Sequence, residues 1–201
     1  MTDDFRSGVK ACVTDDFRSG VKACGTDAFA AELKPAGTGR KQGRRIMADY
    51  IKELRSLIGH RPIIHGAGSI IIENERGEVL LGKRTDNHLW GYSGGGMEIG
   101  ESVEECARRE LSEEMGIEAD ELELFMINSG PESHIVYPNG DEVYYLEVIF
   151  RCRKYHGELR PQPEELEEVR FFAPEEIKLE MISPPIRPVF RKYLQEVANR
   201  R

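Results

Sequence analysis

Ser102 to Gly116 is a segment whose two ends are written into its own residues. Ser102 followed three residues later by Glu105 is a capping-box signature for a helix start, and Gly116 supplies the stop. The approach to this helix, Trp90 to Gly100, is glycine-rich and reads as a loop. Val103, Cys106, Ala107, Leu111 and Met115 fall on one arc of the helix and form its apolar side. Three acidic residues, Glu110, Glu113 and Glu114, stand three and four positions apart, so they share a side. Like charges at that spacing cost roughly 0.2–0.5 kcal/mol in an isolated helix. Acidic helix faces are ordinarily solvated. Here Glu110 and Glu114 fall inside the apolar arc, as Glu104 also does, while Glu105, Arg108 and Ser112 occupy the opposite side. Carboxylates aimed at the protein body need a cationic partner, and clustered oxygen ligands suit Mg²⁺ or Mn²⁺.

Around this segment the chain alternates between helix and strand signals. Tyr50, Ile51, Leu54, Leu57 and Ile58 recur at helical spacing and Gly59 ends them. Ile63–Glu73 and Val79–Arg84 read as strands joined by a turn at Asn74–Gly77. Leu122–Asn128, Val143–Arg153 and Glu167–Phe172 read as further strands, with a turn at Pro138–Asp141, and Pro188–Asn199 as a closing amphipathic helix. Strands and helices interspersed without strict βαβ alternation favour an α/β (α+β) fold, a mixed sheet packed by helices, with no second domain.

The first 46 residues read differently. Thr2–Cys12, TDDFRSGVKAC, recurs letter for letter as Thr14–Cys24, and Ala36–Arg45 is a basic, glycine-rich stretch with little to bury. A perfect 11-residue duplication is too short for a solenoid repeat. Residues 1–46 are therefore expected to be an appended leader without fixed structure, and residues 47–201 the working domain, starting naturally at Met47. The whole chain carries a formal charge of −8, with 39% hydrophobic residues. Residues 1–46 hold 9 Lys+Arg and 6 Asp+Glu, which leaves 19 and 30 in the other 155, a formal charge of −11. An acidic domain is a poor match for sequence-independent nucleic-acid binding, and no apolar run approaches the roughly 20 residues of a membrane span. Cys106 and Cys152 show no CxxC spacing, so neither a zinc site nor a disulfide framework is expected. The expected protein is cytoplasmic, with no nucleic-acid or membrane partner.

Gly95, then five residues, Glu101, then seven, Arg109-Glu110-Leu111, one residue, Glu113-Glu114, one residue and Gly116-Ile117 resembles the Nudix box without a gap. The preceding hairpin, Trp90 ahead of the glycines and Tyr137–Asp141 extend the likeness across residues 47–201 to bacterial Nudix hydrolases. The resemblance implies an α/β/α sandwich around a mixed sheet. It also implies Mg²⁺-dependent (or Mn²⁺-dependent) hydrolysis of a pyrophosphate bond in a nucleoside diphosphate linked to another group. By the same resemblance Glu110, Glu113 and Glu114 bind the divalent ions, with the Gly95 carbonyl as an auxiliary ligand. Arg109 would orient a glutamate of the box, and Glu101 would support the loop and helix. Glu110 or Glu113 is a candidate general base. Glu165, on a loop before the Glu167–Phe172 strand, is a further candidate ligand or base; ordinary surface charge is the plain reading of it and of Glu164.

Recognition of the rest of the substrate is less legible. Arg84 and Lys83, at a strand end, could meet phosphate; Trp90, Tyr92, His88 and His134 could line a pocket, or fill the core and surface. Ser93 stands where the family commonly has proline, which puts substrate fit in question more than activity. The substrate options are a small nucleotide such as an ADP-ribose-like compound or a modified nucleoside triphosphate. A nucleotide sensor without hydrolysis is the alternative, and the full glutamate set argues against it. A homodimer packed through the first and last helices is compatible with the sequence.

Overall fold

The computed structural model describes residues 43–200, with side chains from Tyr50 onward. The expectations for the leader therefore lie outside the described residues, apart from its last few backbone positions. Those positions are helical: α1 runs Gly43–Ile58, so the first helix begins ahead of Met47.

The chain continues through β1 (Ile63–Ile72), β2 (Val79–Arg84), β3 (Trp90–Gly91), β4 (Ser93–Gly96) and α2 (Val103–Met115). Then come β5 (Ile117–Ala119), β6 (Glu123–Asn128), β7 (His134–Val136), β8 (Glu142–Cys152), β9 (Tyr155–Gly157), β10 (Leu166–Phe172) and α3 (Arg187–Asn199). The main sheet has the order β4-β1-β8-β6, with β7 also paired to β8. It is mixed: β1 and β8 run parallel over ten residue pairs, Ile63↔Val143 to Ile72↔Cys152, and the other pairings are antiparallel. A second sheet has the order β10-β2-β3, and β5 pairs with β9; β1 and β2, expected as a hairpin, are joined by the turn but enter different sheets, with an isolated bridge at Glu73↔Val79 beside it.

Both faces of the central strands are covered, which is why Ile70, Ile71 and Ile72 run together without a polar residue between them. Ile70, Ile72, Phe150 and Cys152 pack against Ala107, Leu111 and Met115 of α2. Ile71 and Ile149, on the other face, pack with Val189, Phe190 and Tyr193 of α3. This is the expected α/β/α sandwich.

The expected strands and helices are present with ends shifted by a residue or so, except that the first helix begins at Gly43, seven residues ahead of Tyr50. The expected loop at Trp90–Gly100 is replaced in part by two short strands. β4 pairs antiparallel with β1, Gly94 opposite Ser69 and Gly95 opposite Gly68. Half-buried backbone cannot leave its N–H and C=O groups unpaired, and pairing with β1 meets that need. The turn at Pro138–Asp141 exists, closed by a Gly140 N–H bond to the Tyr137 carbonyl. No helix among the described residues is long and apolar enough to cross a membrane.

The cap of α2 is the one read from the sequence: Ser102 accepts from the Glu105 N–H, and Glu105 accepts from the Ser102 N–H. Gly116 closes the helix with a left-handed φ of 75°. The helix lies directly on β1. A Cβ built at Gly68 would stand 2.5 Å from the Val103 carbonyl oxygen and 3.1 Å from the Ala107 nitrogen. Gly68 is thus what lets α2 approach the sheet, and with it Glu110 and Glu114.

Candidate active site

α2 holds its carboxylates against β4. A Cβ at Gly95 would be 2.5 Å from Glu110 Oε1, so the Glu110 carboxylate rests on the Gly95 backbone. Glu114 accepts the Ser93 hydroxyl at 2.6 Å and the Gly94 N–H at 3.2 Å. It is 5% exposed. Burial pushes its carboxyl up to about 7; the Ser93 bond opposes this, while the charge of Glu110 pushes the same way.

Arg109 ties this end of the helix to the loop before it. Its Nε donates to Glu101 Oε1 at 2.7 Å and its Nη2 to Glu101 Oε2 at 3.0 Å, a bidentate pair. Nη1 donates to Glu110 Oε1 at 2.6 Å and reaches Glu113 Oε2 at 3.4 Å, and Nη2 also donates to the Gly96 carbonyl at 3.1 Å. Burial works against the Glu101 charge, yet the Arg109 bonds and the Glu98 N–H hold its carboxyl below the ordinary range. Arg109→Lys keeps the charge and loses the planar fork, so one of these partners must be released. Turnover in Arg109→Lys is expected to fall about tenfold or more while thermal unfolding shifts by only a few degrees. Equal turnover in steady-state assays would remove the positioning role from Arg109.

The three box glutamates are not equivalent. Glu110 and Glu114 turn toward Gly95 and Gly94, whereas Glu113 is half-buried beside Arg109. Among the described residues no three His, Cys, Asp or Glu side chains converge as a ready-made metal cage. The two inward carboxylates and the β4 backbone nevertheless fit a hard divalent cation. They are oxygen donors held close together, with a like-charge repulsion that a cation would reverse.

A cleft of about 540 Å³ adjoins this point and is lined by Ser69, Arg84, Gly94 and Gly95. Asn128, Ser133, Pro185 and Ile186 lie on it elsewhere, and Tyr92, Tyr145 and Glu147 also line it. Arg84 lines the cleft, gripped by Asp86 through bonds of 3.0 and 2.8 Å. The nearby Glu114 charge also favours the Arg84 cation. Tyr92 is on the cleft too, stacked on Phe190 with its hydroxyl donating to Glu147. His134 lines it, paired with Glu142 and stacked on Tyr144.

Trp90, for which the sequence leaves pocket lining and core filling both open, is not among the residues lining the cleft. Its ring sits edge-on against Phe172, 4.6 Å between centroids, with the Arg170 guanidinium over it, so it serves the α3-side core. His88 and Lys83 pair with Glu167 outside the cleft lining. Glu165 is half-buried on a segment fastened at both sides. The Thr85 N–H donates to its carbonyl, and the Gln162 N–H donates to the Glu114 carbonyl at the end of α2. That brings the Glu165 segment to the C-terminal turn of the helix bearing the box. Glu147 and Asn128 are cleft residues that sequence reasoning does not single out. A lone acidic residue inside the strand run VYYLEVIF is the available signal for Glu147; Asn128 gives none.

A NUDIX domain family model matches residues 64–193. The nucleoside triphosphatase NudI of Escherichia coli O139:H28 is 33% identical over 118 residues, which cover 53% of this chain and 80% of that protein. Among solved structures, the MutT protein of Bacillus halodurans superposes with a TM-score of 0.52 at 27% identity, covering 65% of this chain and 82% of that one. The ORF135 protein of E. coli gives 0.54 at 26% identity, covering 68% and 93%. With a family model spanning more than half of the chain and a box that sets two carboxylates on a glycine pair, this chain belongs to the Nudix family and is a pyrophosphohydrolase of that type.

Proposed function

We propose that the chain hydrolyses a phosphoric anhydride bond of a nucleoside triphosphate or related nucleoside diphosphate derivative, using Mg²⁺ or Mn²⁺. The observation that carries this is the junction of two features. Glu110 and Glu114 meet β4 at Gly94 and Gly95, and those same glycines and Arg84 line a cleft large enough for a nucleotide. A nucleoside triphosphatase among the relatives supports the substrate class.

Glu110, Glu114 and the Gly95 carbonyl are the proposed metal ligands, with Glu113 completing the set by a side-chain rotation away from Arg109. A divalent ion there would neutralise the pyrophosphate and lower the pKa of a bound water. Arg84 faces the substrate phosphates, and Asp86 fixes the direction of its fork. Arg109 holds Glu110 in place. Glu165 is the proposed proton acceptor, because its segment is fastened to the end of α2.

The test is to incubate the full chain with Mg²⁺ and the natural nucleoside triphosphates, ADP-ribose, nucleotide sugars and oxidised dGTP, following phosphate and pyrophosphate release. Metal-dependent turnover of at least one compound is expected, abolished by chelation. Nucleotide binding without turnover of any of them would favour the sensor reading instead.

A further inference from the structure

Ser93, which stands where the family commonly has proline, opens β4 and is 1% exposed. Its hydroxyl donates to Glu114 Oε2 at 2.6 Å, and the Gly94 N–H reaches the same oxygen at 3.2 Å. An ionised carboxylate only accepts, so the Ser93 proton is directed at Glu114. The meeting follows from two periods. Two steps along a strand cover roughly 6.6 Å and four steps along a helix roughly 6 Å, and each brings the side chain back to the same face. Ser93 and Gly95 therefore stand against Glu114 and Glu110 as two rungs between β4 and α2.

The two rungs differ. At Gly95 there is no side chain, and the Glu110 carboxylate rests on the backbone. At Ser93 a donor is set against the carboxylate, and a bond from a hydroxyl to a charged oxygen is roughly twice as strong as one between neutral groups. Both donors to Glu114 use Oε2, so its two oxygens are not equivalent: Oε2 is held from β4 and Oε1 is left out of these bonds. A proline at position 93 has no hydroxyl and would leave the Gly94 N–H as the single β4 donor. Ser93 is also not among the residues lining the cleft, whereas Gly94 and Gly95 are. The departure that bears on substrate fit in the sequence thus bears, in the structure, on a glutamate of the box.

We propose that Ser93 is a positioning residue that acts through Glu114: its hydroxyl holds Oε2 in place and so presents Oε1 to the divalent ion. The inference rests on the proposed metal reading of Glu114 and adds the group that aims it. Groups that hydrogen-bond a ligating carboxylate set its direction, and their removal typically costs about 10–100-fold in metal affinity or activity. Because Ser93 acts through Glu114, its loss should lower metal affinity and turnover and leave nucleotide affinity alone.

The test is titration of the full chain with Mn²⁺, followed by electron paramagnetic resonance, for the unaltered protein, Ser93→Ala, Glu114→Gln and the double variant, with thermal unfolding to check that each is folded. Ser93→Ala is expected to bind about tenfold more weakly. Added to Glu114→Gln it is expected to change affinity by less than about twofold, because the carboxylate it aims is already gone. Additive losses would overturn the proposal, since Ser93 would then act independently of Glu114. Ser93→Cys keeps nearly the same shape with a weaker donor, so a loss of several-fold is expected there; binding as tight as that of the unaltered protein would count against the hydroxyl. At saturating Mg²⁺, Ser93→Ala is expected to lose about tenfold in kcat with the nucleotide KM within about twofold. A raised KM with unchanged kcat would return Ser93 to substrate fit. Weakened Mn²⁺ binding in Glu114→Gln but not in Ser93→Ala would sink the positioning role alone. Unweakened binding in both, or no saturable binding to the unaltered protein, would sink the metal reading with it.

Discussion

Glu114→Gln is expected to lower turnover by several hundred- to a thousandfold, the equivalent of about 3–4 kcal/mol of lost transition-state stabilisation. The substitution is nearly isosteric. The amide that replaces the carboxylate still offers an oxygen to the Ser93 hydroxyl and the Gly94 N–H, so the loop geometry is retained. What disappears is a negative charge that the fold holds at a cost. The carboxyl is buried, and its ordinary ionisation is opposed by that burial and by Glu110. A carboxyl whose folded-state pKa is raised destabilises the fold above its unfolded pKa, so removing it relieves the molecule there. Without metal, thermal unfolding of Glu114→Gln is expected at the same temperature or higher. Loss of activity together with gain of stability is the signature of a residue kept for chemistry. A variant that loses activity only because it unfolds would instead give Glu114 a packing role.

The second large effect is on stability. Gly68→Ala would drive a methyl group to 2.5 Å from the Val103 carbonyl oxygen, where no side-chain rotation can relieve it because the obstacle is helix backbone. α2 must lift from β1, and a loss of about 3 kcal/mol or more is expected, lowering the unfolding midpoint by roughly 10 °C. Gly66→Ala on the same strand and face is the control. There the added methyl meets only the Met97 sulfur at 3.2 Å, the end of a flexible side chain, and a change within about 1 kcal/mol is expected. Thermal and denaturant unfolding of the two variants decide this. Similar midpoints for both would mean that α2 does not press on β1 at Gly68. Because α2 carries the box glutamates, Gly68→Ala is also expected to lose activity in whatever fraction remains folded.

The parts of the fold legible in the sequence are those whose signal is local. The α2 start at Ser102 and Glu105 and its stop at Gly116 depend on residues within one turn of each other, and the structure has them as read. The β1, β2 and β8 strands are legible because their apolar runs are long, but the partners of β1 are β4 and β8 and not β2, a long-range pairing no local pattern shows. β5, β7 and β9 have three residues each, too few for a period to show. β4 is hidden by its glycines, which on propensity read as loop and in the fold serve the close approach of Glu110 and Ser69. Trp90 misleads for a related reason: a tryptophan beside a glycine-rich loop looks like a ligand platform, and only the contact with Phe172 assigns it to the core.

The site divides along the same line. Glu110 and Glu114 can be chosen because the helix period fixes which way they face, and Arg109 and Gly95 because they lie in the box that carries the family resemblance. The helix period does not distinguish Glu113 from its neighbours as sharply; the Arg109 fork does. Glu147 draws its meaning from Ser69, Tyr92 and Asn128, whose positions in the chain are 78, 55 and 19 residues away. No local pattern carries a relation of that range.

The most direct measurement is titration of the full chain with Mn²⁺ as a spectroscopic stand-in for Mg²⁺, followed by electron paramagnetic resonance, for the unaltered protein, Glu110→Gln and Glu114→Gln. Saturable binding to the unaltered protein, weakened about tenfold or more in each variant, is the expected result. Equal affinity in all three proteins would contradict the account, because the carboxylates resting on Gly94 and Gly95 would then not be what holds the metal.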